Sequence, residues 1–94
     1  MSSQDSPTLR LKVQAEADPG ALARVLERFQ NLNLVPIRVT AQLFSSGILH
    51  VRVDLAGVCE ETVGLIAAKL GQTPCILTAS WHRIADKRPW IPVL

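Results

Sequence analysis

Ninety-four residues, 48% of them hydrophobic and 19% charged, make one small globular domain and exclude a disordered chain. A net charge of +2, with basic residues scattered except for Arg83, Lys87 and Arg88, excludes the dense basic stripe of a nucleic-acid footprint. A mean hydropathy of +0.22 is apolar for so short a chain and predicts self-association, with a homodimer as the expected form.

Residues 1–7 read as a flexible leader with neither a charged start nor an apolar run, so no secretory signal is expected. From Thr8 the chain alternates: Leu9, Leu11, Val13 and Ala15 against Arg10, Lys12, Gln14 and Glu16, the mark of a half-buried strand. Asp18-Pro19-Gly20 then opens a helix running from Pro19 to about Leu32. Asp18 suits the N-cap, and Pro19 has a preset φ and no amide to leave unpaired. Gly20 lets a ligand or another backbone approach the free amides of the first turn, where the helix carries partial positive charge. Leu22, Val25, Leu26, Phe29 and Leu32 form its apolar face, and Asn33 suits the left-handed residue that closes it.

A second alternation, Val35 to Phe44, places Ile37, Val39, Ala41 and Leu43 inward, with Pro36 near its start as at an edge strand. Ser45-Ser46-Gly47 predicts a hairpin, and Leu49, Val51, Val53 and Leu55 face inward on the return. A second helix is expected from about Cys59 to Leu70, with Glu60 and Glu61 in its first turn and Gly71 closing it. Pro74 opens a last strand, with Cys75, Leu77, Ala79 and Trp81 inward. Residues 85–94 read as a tail ending in Trp90-Ile91-Pro92-Val93-Leu94, able to cover apolar surface on its own domain or a neighbour. The order βαββαβ predicts an α+β, ferredoxin-like sandwich: a four-stranded antiparallel sheet with both helices on one face.

The fold hosts many activities, so function must come from sites. No Tyr is present and neither Phe falls on a central strand's polar face, which argues against stacked nucleic-acid bases. His50 and His82 share the polar face of the sheet with no third ligand at metal spacing, so no metal site and no cofactor are expected. Cys59, near a helix start, is the one candidate nucleophile, and both histidines are predicted on the opposite sheet face, out of its reach. No catalytic residue is assigned. Cys59 and Cys75, without a CxxC, read as small hydrophobic residues of a reducing compartment. No apolar run approaches the ~18 residues of a membrane span, so no membrane partner is expected and the cytoplasm is the default. What remains is the Asp18-Pro19-Gly20 loop, either a tight turn with a cap or the holder of a carboxylate.

Ala17-Asp18-Pro19-Gly20-Ala21-Leu22-Ala23-Arg24-Val25-Leu26, followed by Phe29, resembles the ACT domain, a small regulatory module that often senses amino acids. The likeness covers about residues 8–84. The single-domain length and the run Leu22-Ala23-Arg24-Val25 are similar to the small subunit of acetolactate synthase, which sensitises a larger catalytic subunit to branched-chain amino acids. The resemblance implies a non-catalytic domain with its effector at an interface between two copies. The main chain of Asp18, Pro19, Gly20, Ala21 and Leu22 would meet the effector from one copy, and Val35, Pro36 and Ile37 from the other. Two positions depart from the family pattern. Ala17 stands where an Asn is common, and Val35-Pro36 replaces an Asn-Ile pair, which removes a side-chain amide and a backbone donor. A domain that keeps only an assembly or scaffolding role is the alternative.

Overall fold

A computed structural model describes residues 8–84; the expected leader and the expected tail from 85 to 94, Trp90 to Leu94 included, lie outside the described residues. The elements follow the predicted order: β1 (Thr8–Glu16), α1 (Ala21–Asn31), β2 (Arg38–Leu43), β3 (Ile48–Ala56), α2 (Glu60–Gly71) and β4 (Ile76–Ile84). The strands form one antiparallel sheet in the order β2-β3-β1-β4, the ferredoxin-like arrangement. β1 is central because both of its edges are paired: Leu11 stands opposite Val53 on one side and Trp81 on the other. Its alternation is therefore read twice, and Leu9, Leu11, Val13 and Ala15 are all buried. Val51, Val53 and Leu55 of β3 extend the same face, and Val25 and Phe29 of α1 with Val63, Ile66 and Leu70 of α2 cover it.

Both helices stop for local reasons. After α1, Asn33 takes a φ of 57°, and Leu34 N–H donates to Phe29 C=O at 2.9 Å while Asn33 N–H donates to Gln30 C=O at 3.0 Å. That paired closure is the Schellman motif, and Leu34 packs against the core beside it. After α2, the Thr73 hydroxyl donates to Lys69 C=O at 2.9 Å and accepts from Arg28 Nη2 at 3.2 Å, which ties the end of α2 to α1.

Three side-chain placements differ from the alternating pattern. Leu77, expected inward on β4, is 47% exposed, and Ile76 is buried instead. The register of β4 against β1 shifts between Gln14 and Ala15: Gln14 opposes Thr78 and Ala15 opposes Ile76, so Leu77 is the extra residue of a bulge and turns outward. Cys75, expected to point inward, is only half-buried and holds a φ of 69°, with its carbonyl accepting Glu16 N–H at 2.8 Å. Leu32, expected on the apolar face of α1, lies one residue past the helix and is half exposed.

β2 departs furthest. The second alternation was expected from Val35, yet 34–36 are loop and pairing begins with Ile37 N–H on Asp54 C=O at 2.9 Å, before Arg38. All six residues of β2 are exposed, including Val39 and Leu43, which were expected to face inward. The helix layer stands off this edge and leaves a groove of about 510 Å³ lined by Leu26 and Phe29 of α1 and by Leu34, Val35, Pro36 and Val39.

The bulge predicts an inverted pair of truncations. Ile76→Ala is expected to cost about 2–4 kcal/mol and Leu77→Ala under about 1 kcal/mol, read by urea unfolding. The opposite ranking would restore the uninterrupted alternation.

Candidate functional site

The loop from Ala17 to Gly20 enters α1 by a different route from the expected cap. The N-cap is Gly20, with φ −90° and ψ −1° and no side-chain cap bond. Asp18 lies two residues before it, where its Oδ1 accepts Gly20 N–H at 2.9 Å and its main-chain carbonyl accepts Ala21 N–H at 2.9 Å. Pro19 stands one residue before the N-cap rather than in the first turn. An Asp taking the amide two residues on forms an Asx turn, a local bond that competes with the helical one. Two of the amides named as effector donors, those of Gly20 and Ala21, are thus engaged by Asp18. Arg24 N–H reaches Gly20 C=O at 3.0 Å. Between them, the amides of Leu22 and Ala23 have no hydrogen-bond partner among the described residues. Ala23 is a donor that the sequence reading did not name; counting the amides ahead of the first i to i−4 bond would have found it.

Arg24 shapes the mouth of this loop. Its Nη1 lies 3.5 Å from Asp18 Oδ2 and 3.6 Å from Cys75 Sγ, and both groups raise its pKa, Cys75 foremost. The guanidinium offsets the Asp18 carboxylate, which would otherwise oppose an incoming anion. The nearest atoms a Cβ built on Gly20 would meet are Arg24 Nη1 at 3.3 Å, Arg24 Cζ at 3.6 Å and Asp18 Oδ1 at 3.7 Å, all side-chain ends. A side chain at Gly20 therefore keeps an ordinary φ but requires the Arg24 guanidinium to shift by a few tenths of an ångström.

Val35, Pro36 and Ile37 lie past the other end of α1. Eleven helical residues separate the two halves by about 16 Å, so one chain does not bring them together. Val35 is 86% exposed and, with Pro36, lines the groove beside β2.

The rival nucleophile is separately placed. Cys59 is the N-cap of α2, exposed, with Sγ 3.1 Å from Thr62 Oγ1. The Thr62 hydroxyl, then the Thr62 amide, lower its thiol pKa below the ordinary value. His50 and His82 stand opposite Gln14 and Arg10 on the face away from the helices. Neither histidine orients Cys59, and among the described residues no base is hydrogen-bonded to it. Among the described residues no three His, Cys, Asp or Glu side chains stand together as metal ligands, and no helix is long and apolar enough to cross a membrane.

Several solved structures share this βαββαβ architecture over most of the chain. An uncharacterized protein of Thermotoga maritima superposes with a TM-score of 0.68 at 16% identity, over 85% of this chain and 99% of that one. The ACT domain of a GTP pyrophosphokinase from Chlorobium tepidum does so with a TM-score of 0.69 at 9% identity, over 82% and 99%. A homoserine dehydrogenase from Thiobacillus denitrificans gives 0.67 at 15%, over 86% of this chain and 18% of that one. These likenesses carry the fold. No curated protein matches the chain. The family model for an ACT-like domain matches residues 2–88, and the chain belongs to that family.

Two measurements check the loop and the thiol. Asp18→Ala is expected to cost about 1 kcal/mol by freeing the Gly20 amide, and Asp18→Asn, which keeps an acceptor oxygen, less than half of that. In a Cys75→Ser background, iodoacetamide should reach half its maximal rate at a lower pH than with a free thiol, and Thr62→Val should move that midpoint back up. A midpoint equal to the free thiol's would remove the role given to Thr62.

Proposed function

We propose that the chain is a non-catalytic regulatory domain that binds a small amino-acid effector at an interface between two copies and passes the signal to a larger biosynthetic enzyme subunit. Membership of the ACT-like family supports this reading, and one observation carries it to particular atoms. The adjacent amides of Leu22 and Ala23 lack partners at the positive end of an 11-residue helix, the arrangement that receives a carboxylate. Asp18, Pro19 and Gly20 build the loop that presents them, with Ala21 and Leu22 as the first helical residues. Val35, Pro36 and Ile37 of a second copy complete the site, since in one chain they are a helix length away. The Leu22-Ala23-Arg24-Val25 run supports a catalytic partner of the acetolactate synthase type.

A second reading, an interaction module that binds no effector, draws on a specific feature. Asp18 occupies the Gly20 and Ala21 amides and sets a carboxylate at the mouth of the site, and Pro36 offers no donor from the other half.

Calorimetric titration of the full chain with the twenty amino acids separates the two. Sensing predicts that one of them binds with Kd of about 1 mM or tighter and that Gly20→Trp abolishes it. The variant is expected to fold, because Gly20 holds an ordinary φ and the tightest contact, Arg24 Nη1 at 3.3 Å, is the end of a long side chain that can give way. No heat with any amino acid from a folded dimer would leave the interaction module.

A further inference from the structure

The face of the sheet turned away from the helices is not uniformly solvated polar surface. Lys12 of β1 and Arg52 of β3 are direct cross-strand partners in the middle of the two central strands. Side chains so paired have Cβ atoms about 5 Å apart, and like charges there destabilise the sheet. Both are exposed, and neither has a hydrogen-bond or ion-pair partner among the described residues. Their outer neighbours are neutral: Thr40 beyond Arg52 and Ser80 beyond Lys12. Two carboxylates share the face. Asp54, 4% exposed, receives Arg10 Nε at 2.8 Å and Arg10 Nη2 at 3.1 Å, so its charge is spent on its own partner. Glu16 lies four residues along β1 from Lys12, about 13 Å away. A fold that supplies a fork for Asp54 leaves two cations opposed and unanswered one pair further on.

The next pair adds a second, different feature. His50 precedes Arg52 by two residues on the same face, about 7 Å along the strand. The Phe44 ring, from the hairpin after β2, lies against it with centroids 4.3 Å apart and planes at 49°, and is 43% exposed. Both features line one hollow of about 650 Å³, together with Gln42 and Thr40 of β2. That volume lies in the range of small-ligand sites. Paired cations suit a phosphate, the exposed Phe44 ring against His50 suits a flat heteroaromatic ring, and the two features lie about 7 Å apart along β3, within reach of one nucleotide.

We propose that the open face of the sheet binds a nucleoside phosphate, with Lys12 and Arg52 at the phosphate and the Phe44–His50 pair beneath the base. This site is separate from the amides at the start of α1 and does not depend on an amino-acid effector.

Calorimetry on the full chain with AMP, adenosine and inorganic phosphate, in about 0.15 M salt, tests it. AMP should bind with Kd under about 1 mM, and adenosine and phosphate alone each at least about tenfold more weakly. Lys12→Gln and Arg52→Gln should each weaken AMP by about tenfold or more, while raising the melting temperature of the ligand-free protein by relieving the repulsion. Phe44→Ala should weaken AMP and leave the phosphate affinity unchanged. A variant that loses binding while its melting temperature falls is repeated as Arg52→Lys, which keeps the charge and should restore AMP affinity to within about threefold. Absence of AMP binding, an Arg52→Gln affinity equal to the parent's, or phosphate binding as tightly as AMP would each overturn the assignment. A short single-stranded RNA that binds and is not displaced by AMP would overturn it in favour of a nucleic-acid surface.

Discussion

The structure depends on β1 being paired on both edges. Thr8–Glu16 runs between β3 and β4, so the positions of Leu9, Leu11, Val13 and Ala15 are fixed by two ladders at once. A one-residue slip would carry all four to the polar face and bring Arg10, Lys12 and Gln14 under the helices. Burial of that magnitude, at about 25 cal/mol per Å² of apolar surface, outweighs any single surface interaction in the molecule. The two ends of the strand then set the functional geography. Its C-terminal end leads straight into the Asp18 loop, and Cys75 C=O holds Glu16 N–H there, so the start of α1 is anchored to the start of β4. Its solvent-facing residues fix where Arg10 and Lys12 stand relative to β3.

That frame explains how two surfaces of opposite character coexist on so small a chain. At the α1 entry, the donors are main-chain amides oriented by helix geometry, and the side chains nearby, Asp18 and Arg24, largely offset each other. On the far face, main-chain groups are consumed by the ladders and only side chains are left to act. The Arg10–Asp54 fork shows how tightly the sheet controls charge there: the carboxylate is buried, and removing the guanidinium would leave a buried charge without its partner.

Much of this was legible in the residues. The alternations of β1 and β3, the two helices, the Gly47 turn and the left-handed Asn33 are local patterns, each supported by its neighbours, and each appears in the stretch the sequence predicts, although α1 begins at Ala21 rather than Pro19 and α2 runs through Gly71, which was expected to close it. What escaped depends on pieces far apart in the chain. The turn to αL at Cys75 and the bulge at Leu77 arise from how β4 meets the end of β1, and no periodicity in Cys75 to Trp81 encodes a skipped residue. The exposure of β2 follows from the distance at which α1 settles, although Val39 and Leu43 are as apolar as residues that are buried elsewhere. Asp18 was recognisable as a residue that bonds backbone near a helix start. Whether it would take the amide of a cap or of an Asx turn is decided by the single φ,ψ pair at Gly20. The Lys12–Arg52 opposition becomes visible only once the register between two strands 40 residues apart is known.

With no buried side chain to prefer one alignment over another, β2 keeps its position through its ladder with β3, Arg38 to Leu43 against Asp54 to Leu49, closed by Ile37 N–H on Asp54 C=O at one end and by Phe44 N–H on Ile48 C=O beside the Gly47 turn at the other. This strand is thus held by main-chain pairing all along its length and by buried side chains nowhere. Its side chains can therefore repack against whatever is laid beside them without disturbing the packed layer beneath β1 and β3.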